Sequence, residues 1–198
     1  MEILIIQGSL GTPSRTAALA EEAARRLTLG GHRARIFDLR VHDLPWAVPQ
    51  GEGAPSQRPA PALRKLLAAA TAADAFVWAS PVYHNSYSGV LKCALDHLTA
   101  REFRGKPVAL CGDGGRRGSE QPLEHLRTVA RSLHAVATST VVTTRTDDFV
   151  LDGGRYVLAD KETVHRVGVM CHQLADLAGL LARGGGALRS AQGAEELS

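Results

Sequence analysis

Residues 3–16 run Ile3-Leu4-Ile5-Ile6-Gln7-Gly8-Ser9-Leu10-Gly11-Thr12-Pro13-Ser14-Arg15-Thr16. The apolar half predicts a buried strand, the polar half predicts a loop, and a helix is expected to start near Thr16. Free backbone N–H groups at such a loop and helix end favour an anion, and the hydroxyls and Arg15 add donors. The glycine spacing fits neither a Walker loop nor a dinucleotide-binding fingerprint, so a single phosphate is expected, as on a mononucleotide. An ordinary strand-to-helix turn with a Ser or Thr cap is the alternative.

Strand-like and helix-like segments alternate along the rest of the chain. The predicted strands are Ile3–Ile6, Ala34–Phe37, Ala75–Ala79, Val108–Cys111 and Val136–Val142. The predicted helices are Thr16–Leu29, Pro61–Ala72, Gly89–Leu98, Glu120–Leu133 and Lys161–Ala182. This alternation predicts an α/β fold with a parallel sheet and helices on both faces. Five strands in a chain of 198 residues fit the flavodoxin-like doubly wound order 2-1-3-4-5. We expect a single domain over residues 1–183 and a disordered tail over 184–198.

Three polar loops follow strands 1, 3 and 4 of the predicted sheet. They are Gly8–Thr16, Ser80–Ser88 and Gly112–Gly118. In doubly wound sheets, ligands bind beyond the carboxyl ends of the strands, near the switch point between strands 1 and 3. We expect the loops to meet there, with free N–H groups at Tyr83–Ser86 facing the polar edge of a flat heterocycle. Glycines of the third loop would let the backbone approach such a ring closely.

Composition excludes several classes of function. The net charge of +3 is mild, and the arginines are spread over helices rather than clustered with aromatic residues, so we do not expect nucleic-acid binding. No apolar run reaches the roughly 20 residues that a membrane span needs. Because a predicted strand follows Met1-Glu2 directly, we expect no signal peptide. The three cysteines are far apart in apolar stretches, which predicts reduced thiols and a cytoplasmic protein.

Four further features lie outside the polar loops. Gly51–Pro61 contains several prolines and predicts an irregular excursion. Thr144–Asp160 predicts a loop that can carry a short hairpin. His165 and His172 share a helix face, but without a convincing third ligand they predict a surface or subunit contact rather than a metal site. Trp78 is expected to be a packing residue.

The loop motifs together resemble the NADPH-dependent FMN reductase family over about residues 1–145. The matching residues are Gly8-Ser9 with Ser14, Pro81-x-Tyr83, Gly89-x-Leu91-Lys92 with Asp96, and the Gly-rich loop after strand 4. Within that family, Pro13-Ser14-Arg15 and Pro81-Val82-Tyr83 with Tyr87-Ser88-Gly89 look most like the alkanesulfonate-type reductases. Those enzymes supply reduced flavin to a partner monooxygenase.

The resemblance implies FMN and NADPH as cofactors and a set of binding residues for them. The phosphate of FMN would be held by Ser9, Ser14, Arg15 and Thr16. The flavin ring and ribityl chain would be lined by Pro81, Val82, Tyr83, His84, Asn85 and Ser86. The third loop would close over the flavin ring and border the nicotinamide site. Its residues are Gly112, Asp113, Gly114 and Gly115. The chain departs from the family at Gly11, where an arginine is common. Near His125 we find no extra residue of the kind that forms a π-bulge, so an unbroken helix is expected.

The leading hypothesis is an NAD(P)H-dependent FMN reductase that moves hydride from nicotinamide to flavin. The cofactor carries this reactivity, so no catalytic acid or base is assigned. Reduction of quinones or azo compounds is an alternative, and so is a flavodoxin-like electron carrier without a nicotinamide site. We expect a homodimer or homotetramer, with Gly89–Leu98 and Arg40–Pro61 near the contact. The apolar Trp46 lies within that second segment.

Overall fold

A five-stranded parallel sheet forms the centre of the molecule. The structure, a computed structural model, describes residues 1–47, 60–116 and 120–195, with side chains to residue 184. The strands are β1 (Glu2–Gln7), β2 (Arg33–Asp38), β3 (Ala75–Pro81), β4 (Pro107–Asp113) and β5 (Val136–Thr144). Their order is β2-β1-β3-β4-β5, and each neighbouring pair is parallel. The predicted α/β fold and strand order are therefore confirmed.

Helices cover both faces of this sheet. They are α1 (Arg15–Leu29), α2 (Pro61–Ala72), α3 (Gly89–Asp96), α4 (Ala100–Phe103), α5 (Gln121–Ser132) and α6 (Lys161–Glu195). Helix α2 has the predicted bounds, and α5 is unbroken, as predicted. Helix α4 was not predicted. It is a single turn closed by a capping box between Thr99 and Glu102, too short to show helical periodicity in the sequence.

Alternating side chains of the strands build two core layers. Along β1, Ile3 and Ile5 pack towards α1 and α6, whereas Leu4 and Ile6 pack towards α2, α3 and α5. This follows from the two-residue period of a strand that is covered on both faces. Trp78 is fully buried in the second layer, with its ring 5.4 Å from that of Phe103, edge to face. Its predicted packing role is confirmed.

The segment after β5 carries the predicted hairpin. Strand β6 (Phe149–Asp152) pairs antiparallel with β7 (Arg155–Leu158). The two residues between them, Gly153 and Gly154, have φ of +53° and +79°. A two-residue hairpin turn of this type needs positive φ at both positions, which glycine adopts without steric cost.

The last helix is longer than predicted. Helix α6 continues to Glu195, past the predicted end at Ala182 and through most of the segment predicted as a disordered tail. The extension contains alanine, leucine, arginine and glutamine, which favour helix, and propagating an existing helix is easier than starting one. Residues 196–198 lie outside the described residues, as do 48–59, which hold most of the predicted excursion, and 117–119 of the third loop. No helix within the described ranges is long and apolar enough to cross a membrane.

Candidate cofactor site

The three polar loops meet in one cleft at the carboxyl ends of β1, β3 and β4. The cleft has a volume of about 240 Å³. It is lined by Ser9, Pro13, Ser14, Arg15, Thr16, Pro81, Val82, Tyr83, Asp113, Gly114, Gly115 and Tyr156. The structure thus brings together residues from all three predicted groups. Four predicted residues do not line the cleft: His84, Asn85, Ser86 and Gly112. Pro13 and Tyr156 line it although neither was predicted to.

The first loop offers donors mainly at the start of α1. Ser14 caps that helix, and its Oγ accepts a hydrogen bond of 3.1 Å from the N–H of Ala17. The N–H of Ser9 donates to the side-chain carbonyl of Gln7, so it is not free. Arg15 and Thr16 are the first two residues of α1, where a helix offers no carbonyl to its own N–H groups, and no other acceptor for either N–H lies among the described residues. An anion placed there would satisfy both donors and face the positive end of the helix dipole.

The second loop corrects the prediction of free donors at Tyr83–Ser86. Tyr83 and Ser86 bond to each other through both N–H groups, over 2.8 and 2.9 Å, and the N–H of Val82 donates to the carbonyl of Asp113. The two residues inside this turn, His84 and Asn85, have φ of +50° and +60°. A tight turn therefore uses the donors of Tyr83 and Ser86. The same turn directs His84, Asn85 and Ser86 away from the cleft. Outside the cleft, Ser86 Oγ lies 3.2 Å from Nδ1 of His125.

Buried serines lock the first and second loops together. Ser88 Oγ donates to the carbonyl of Gly8 over 2.6 Å and also caps α3 by accepting from the N–H of Leu91. The N–H of Ser88 donates to Ser80 Oγ. A Cβ at Gly8 would lie only 2.8 Å from Cβ of Leu91, so only glycine allows this approach. The glycine of the first loop therefore serves contact with α3.

Asp113 joins the third loop to the first. Its carboxylate accepts from Arg15 Nε at 3.0 Å on one oxygen. The other oxygen accepts from Thr144 Oγ1 at 3.3 Å and from the N–H of Gly115 at 3.4 Å. With these partners and only 8% exposure, Asp113 orients Arg15. Gly112 pairs with Ser80 of β3 in the sheet, and a Cβ at Gly112 would come within 3.0 Å of the Ser80 carbonyl oxygen.

Tyr156 is the functional candidate that the sequence did not reveal. It lies on β7, and its ring centroid is 5.4 Å from the guanidinium carbon of Arg15. A tyrosine on a short hairpin carries no motif of its own. The available signal was Gly153-Gly154, a hairpin turn, in the segment that follows the last strand of the sheet.

A larger groove lies at the other end of α1, with a volume of about 910 Å³. It is lined by the carboxyl-terminal part of α1 and by α6, and it includes His32, His165 and His172. His172 Nε2 lies 3.3 Å from a carboxylate oxygen of Asp176. No cluster of metal-ligating side chains is found in the part of the chain that the structure describes. The larger volume is thus far from the strand ends where the polar loops converge.

The thiols nearest the core are inert. Cys111, on β4, is fully buried, and burial raises the pKa of its thiol far above the ordinary value. Burial raises the pKa of Cys171 to about 12. Both are therefore protonated at neutral pH and unsuited to nucleophilic chemistry. The three cysteines are unpaired, as predicted, although Cys93 is only half-buried.

The site and the sheet agree with a comparison to known families. The model of the NADPH-dependent FMN reductase family matches residues 1–147. The chain belongs to this family. It is an oxidoreductase, and FMN and NADPH are its cofactors.

Two relatives cover most of this family member. An FMN-dependent NADPH-azoreductase of Staphylococcus saprophyticus is 39% identical over 175 residues, covering 88% of this chain and 93% of the relative. Another, from Staphylococcus aureus, is 37% identical with the same coverage. Neither is an alkanesulfonate-type reductase, so that narrower resemblance stays a prediction.

Solved structures support the fold. FerB, a flavoenzyme NAD(P)H:(acceptor) oxidoreductase from Paracoccus denitrificans, superposes with a TM-score of 0.69 at 22% identity, covering 90% of this chain and 97% of FerB. RosB, solved with bound 8-demethyl-8-formylriboflavin-5'-phosphate, gives a TM-score of 0.75 at 18% identity, covering 100% of this chain and 88% of RosB. At these identities the likeness shows a shared fold.

Proposed function

We propose that the protein binds FMN in the cleft, reduces it with NADPH and passes the electrons to an aromatic acceptor of the azo class. The observation that carries this proposal is the convergence of three loops on unpaired helix-end donors beside Arg15. The acceptor class follows the names of the two staphylococcal relatives.

The residues in the cleft fit the phosphate of FMN. The N–H groups of Arg15 and Thr16 lack protein partners among the described residues, and the hydroxyls of Ser9 and Thr16 lie beside them. Arg15 adds a guanidinium group. Its Nε donates to the carboxylate of Asp113, and this contact restricts where the two terminal nitrogens of Arg15 can point. Together these groups supply the charge-assisted donors that a phosphate requires. Ser14 contributes as the helix cap.

The second and third loops would set the flavin ring. Pro81, Val82 and Tyr83 line one side of the cleft, and Gly114 and Gly115 line another. Gly115 has open space where a Cβ would stand, so its backbone can lie close to a flat ring. FMN, when bound, accepts hydride from the nicotinamide and delivers electrons to the acceptor. The chain's own part is to orient the cofactor and to shield it, with no acid or base assigned.

Stopped-flow mixing tests this function. The FMN complex mixed anaerobically with NADPH should lose its flavin absorbance, and an azo dye added afterwards should be bleached as that absorbance returns. A flavin that dithionite reduces but NADPH and NADH do not would overturn the proposal in favour of an electron carrier. Recovery with oxygen but not with the dye would remove the azo acceptor alone.

Supply of reduced flavin to a monooxygenase is a second candidate, favoured by Pro13-Ser14-Arg15 and by Pro81-Val82-Tyr83 with Tyr87-Ser88-Gly89. That role requires FMN to leave the protein between turnovers. Gel filtration of the yellow complex separates the two candidates. Colour that stays with the protein supports the azo function, whereas colour that elutes with small molecules supports the monooxygenase function.

The proposed assembly is a homodimer or homotetramer in the cytoplasm. Trp46 is 80% exposed and lies beside a small apolar cleft that Val90 and Cys93 of α3 also line. The segment before Trp46 is fixed on α3 and the residue after it, because the carbonyl oxygen of Pro45 lies 3.3 Å from Cys93 Sγ and 2.7 Å from His97 Nε2. A fixed, exposed tryptophan favours burial against a partner. The unpaired cysteines support a reducing compartment.

A further inference from the structure

The hairpin β6–β7 is fixed on the helix that starts at the cofactor cleft. Phe149 and Leu158, at its open end, are buried in the core layer formed with α1 and α6. At the turn end, Arg155 pairs with Glu21 of α1 at 3.1 Å. The hairpin is therefore attached at both ends, and the residue between these attachments has a defined place.

That residue is Tyr156. It is half-buried, packs against the same core layer, and its ring lies 6.2 Å from the ring of Phe149, edge to face. The other contact of the tyrosine ring is the guanidinium of Arg15, 5.4 Å from its centroid. Asp113 contacts the same arginine through Nε. Arg15 is thus held by a carboxylate from the third loop and by an aromatic ring from the hairpin.

Two contacts decide where the terminal nitrogens of Arg15 point. An arginine side chain loses much rotamer freedom when it is fixed, so an unsupported one would bind phosphate less well. A salt bridge through Nε alone fixes one end of the guanidinium. A cation over an aromatic ring adds attraction and removes further orientations.

We propose that Tyr156 is a positioning residue for FMN binding, acting on the phosphate through Arg15. The hairpin is accordingly a fourth wall of the cofactor site, in addition to the three loops. This inference rests on the proposed FMN site. If it is correct, Tyr156 raises the affinity of the protein for FMN but not its affinity for riboflavin, which lacks the phosphate.

The test compares FMN and riboflavin binding, measured by quenching of flavin fluorescence without NADPH. Tyr156→Leu should weaken FMN binding about two- to fivefold, the size of an exposed cation–π contact, and leave riboflavin binding unchanged. Tyr156→Phe keeps the ring and should behave as wild type with both flavins. Val150→Ala, on the exposed side of the same hairpin, is the matched control. Tyr156→Met keeps apolar bulk against Phe149 but has no ring, so its FMN affinity should fall as much as that of Tyr156→Leu.

A double-mutant cycle separates positioning from a general structural role. In an Arg15→Ala background, Tyr156→Leu should cause no further loss of FMN affinity. A persisting loss there, or equal losses for FMN and riboflavin, would overturn the inference. Failure of NADPH to reduce a normally bound FMN would instead contradict the proposed function and leave the role of Tyr156 standing.

Discussion

Two cavities at opposite ends of α1 differ in what surrounds them, and that difference identifies the cofactor site. The groove between α1 and α6 has about 910 Å³ and the cleft at the strand ends about 240 Å³. The groove is lined by two helices, whereas three strand-end loops and a hairpin form the cleft. Helix α1 contributes to both, its amino-terminal end to the cleft and its carboxyl-terminal end to the groove. Only the amino-terminal end offers unpaired N–H donors and a positive dipole. Volume is therefore a poorer guide to function than the chemistry of the lining groups.

The largest expected effect comes from replacing a glycine of the first loop, Gly8, and is compared with the replacement of Gly168 in the groove. Gly8→Ala places a Cβ 2.8 Å from Leu91, so the first loop must shift. We expect about 1–3 kcal/mol of lost stability and roughly a hundredfold loss of NADPH oxidation with FMN. Gly168→Ala, in the groove, meets only the flexible end of Arg26 at 3.4 Å. It should gain about 0.5–1 kcal/mol and keep activity. Thermal melts and steady-state rates check both, and equal activities would contradict the packing role of Gly8.

Charge removal gives the next largest effect. Arg15→Ala should lower FMN affinity about ten- to a hundredfold, since a charge-assisted hydrogen bond is worth about 1.5–3 kcal/mol, and should spare riboflavin. His172→Ala, in the groove, should change neither affinity. Equilibrium titrations of both flavins measure this. A parallel loss of riboflavin binding in the Arg15 variant would remove the phosphate assignment.

The third comparison asks whether the subunit contact lies near α3 or at the groove, by replacing one exposed residue in each region. Trp46→Ala should weaken dimerisation about thirtyfold or more, the loss expected for an interface hot spot. Leu29→Ala removes a residue that is 73% exposed at the groove and should leave the dimer intact. Analytical ultracentrifugation measures both. A concentration-independent monomer of 21.0 kDa for the wild type would exclude the assembly.

The smallest effects compare the caps of the two helices. Ser14→Ala should cost about 1 kcal/mol and weaken FMN binding, because it loosens the cleft end of α1. Asp160→Ala removes the cap of α6, where a carboxylate oxygen accepts from the N–H of Thr163 at 2.8 Å, and should lower the Tm without changing FMN affinity.

The cap of α6 also predicts a pH dependence. Hydrogen bonds from Thr163 lower the pKa of Asp160 below its ordinary value of 3.8. Its contribution to stability is therefore complete above that value and is lost as pH falls through the lowered pKa. The Tm difference between wild type and Asp160→Ala should be constant near neutral pH and shrink in strong acid. If the Tm difference stays undiminished at a pH where the Asp160 carboxyl is protonated, the ionised carboxylate is not what caps the helix.

Much of the fold could be predicted because the three central strands β1, β3 and β4 are buried apolar runs that end at polar loops. Helix α2 has its predicted bounds, Pro61–Ala72, whereas the single turn of α4 is too short to show helical periodicity. The prediction ends α6 at Ala182 because residues 184–198 are rich in Gly, Ala, Ser and Glu and show little hydrophobic periodicity. Local composition there is compatible with both outcomes, and the preceding helix turns decide between them.

The sequence by itself determined that the sheet is parallel and doubly wound, because buried parallel strands require apolar runs and crossover connections. It also determined that three polar loops lie at one edge of that sheet. Only the tertiary structure decided which donors in those loops are free. The turn at Tyr83 and Ser86 uses its own N–H groups, and Asp113 contacts Arg15 across 98 residues of chain. The placement of Tyr156 beside Arg15 likewise depends on the hairpin packing on α1. Such contacts join residues far apart in sequence, and no local pattern records them.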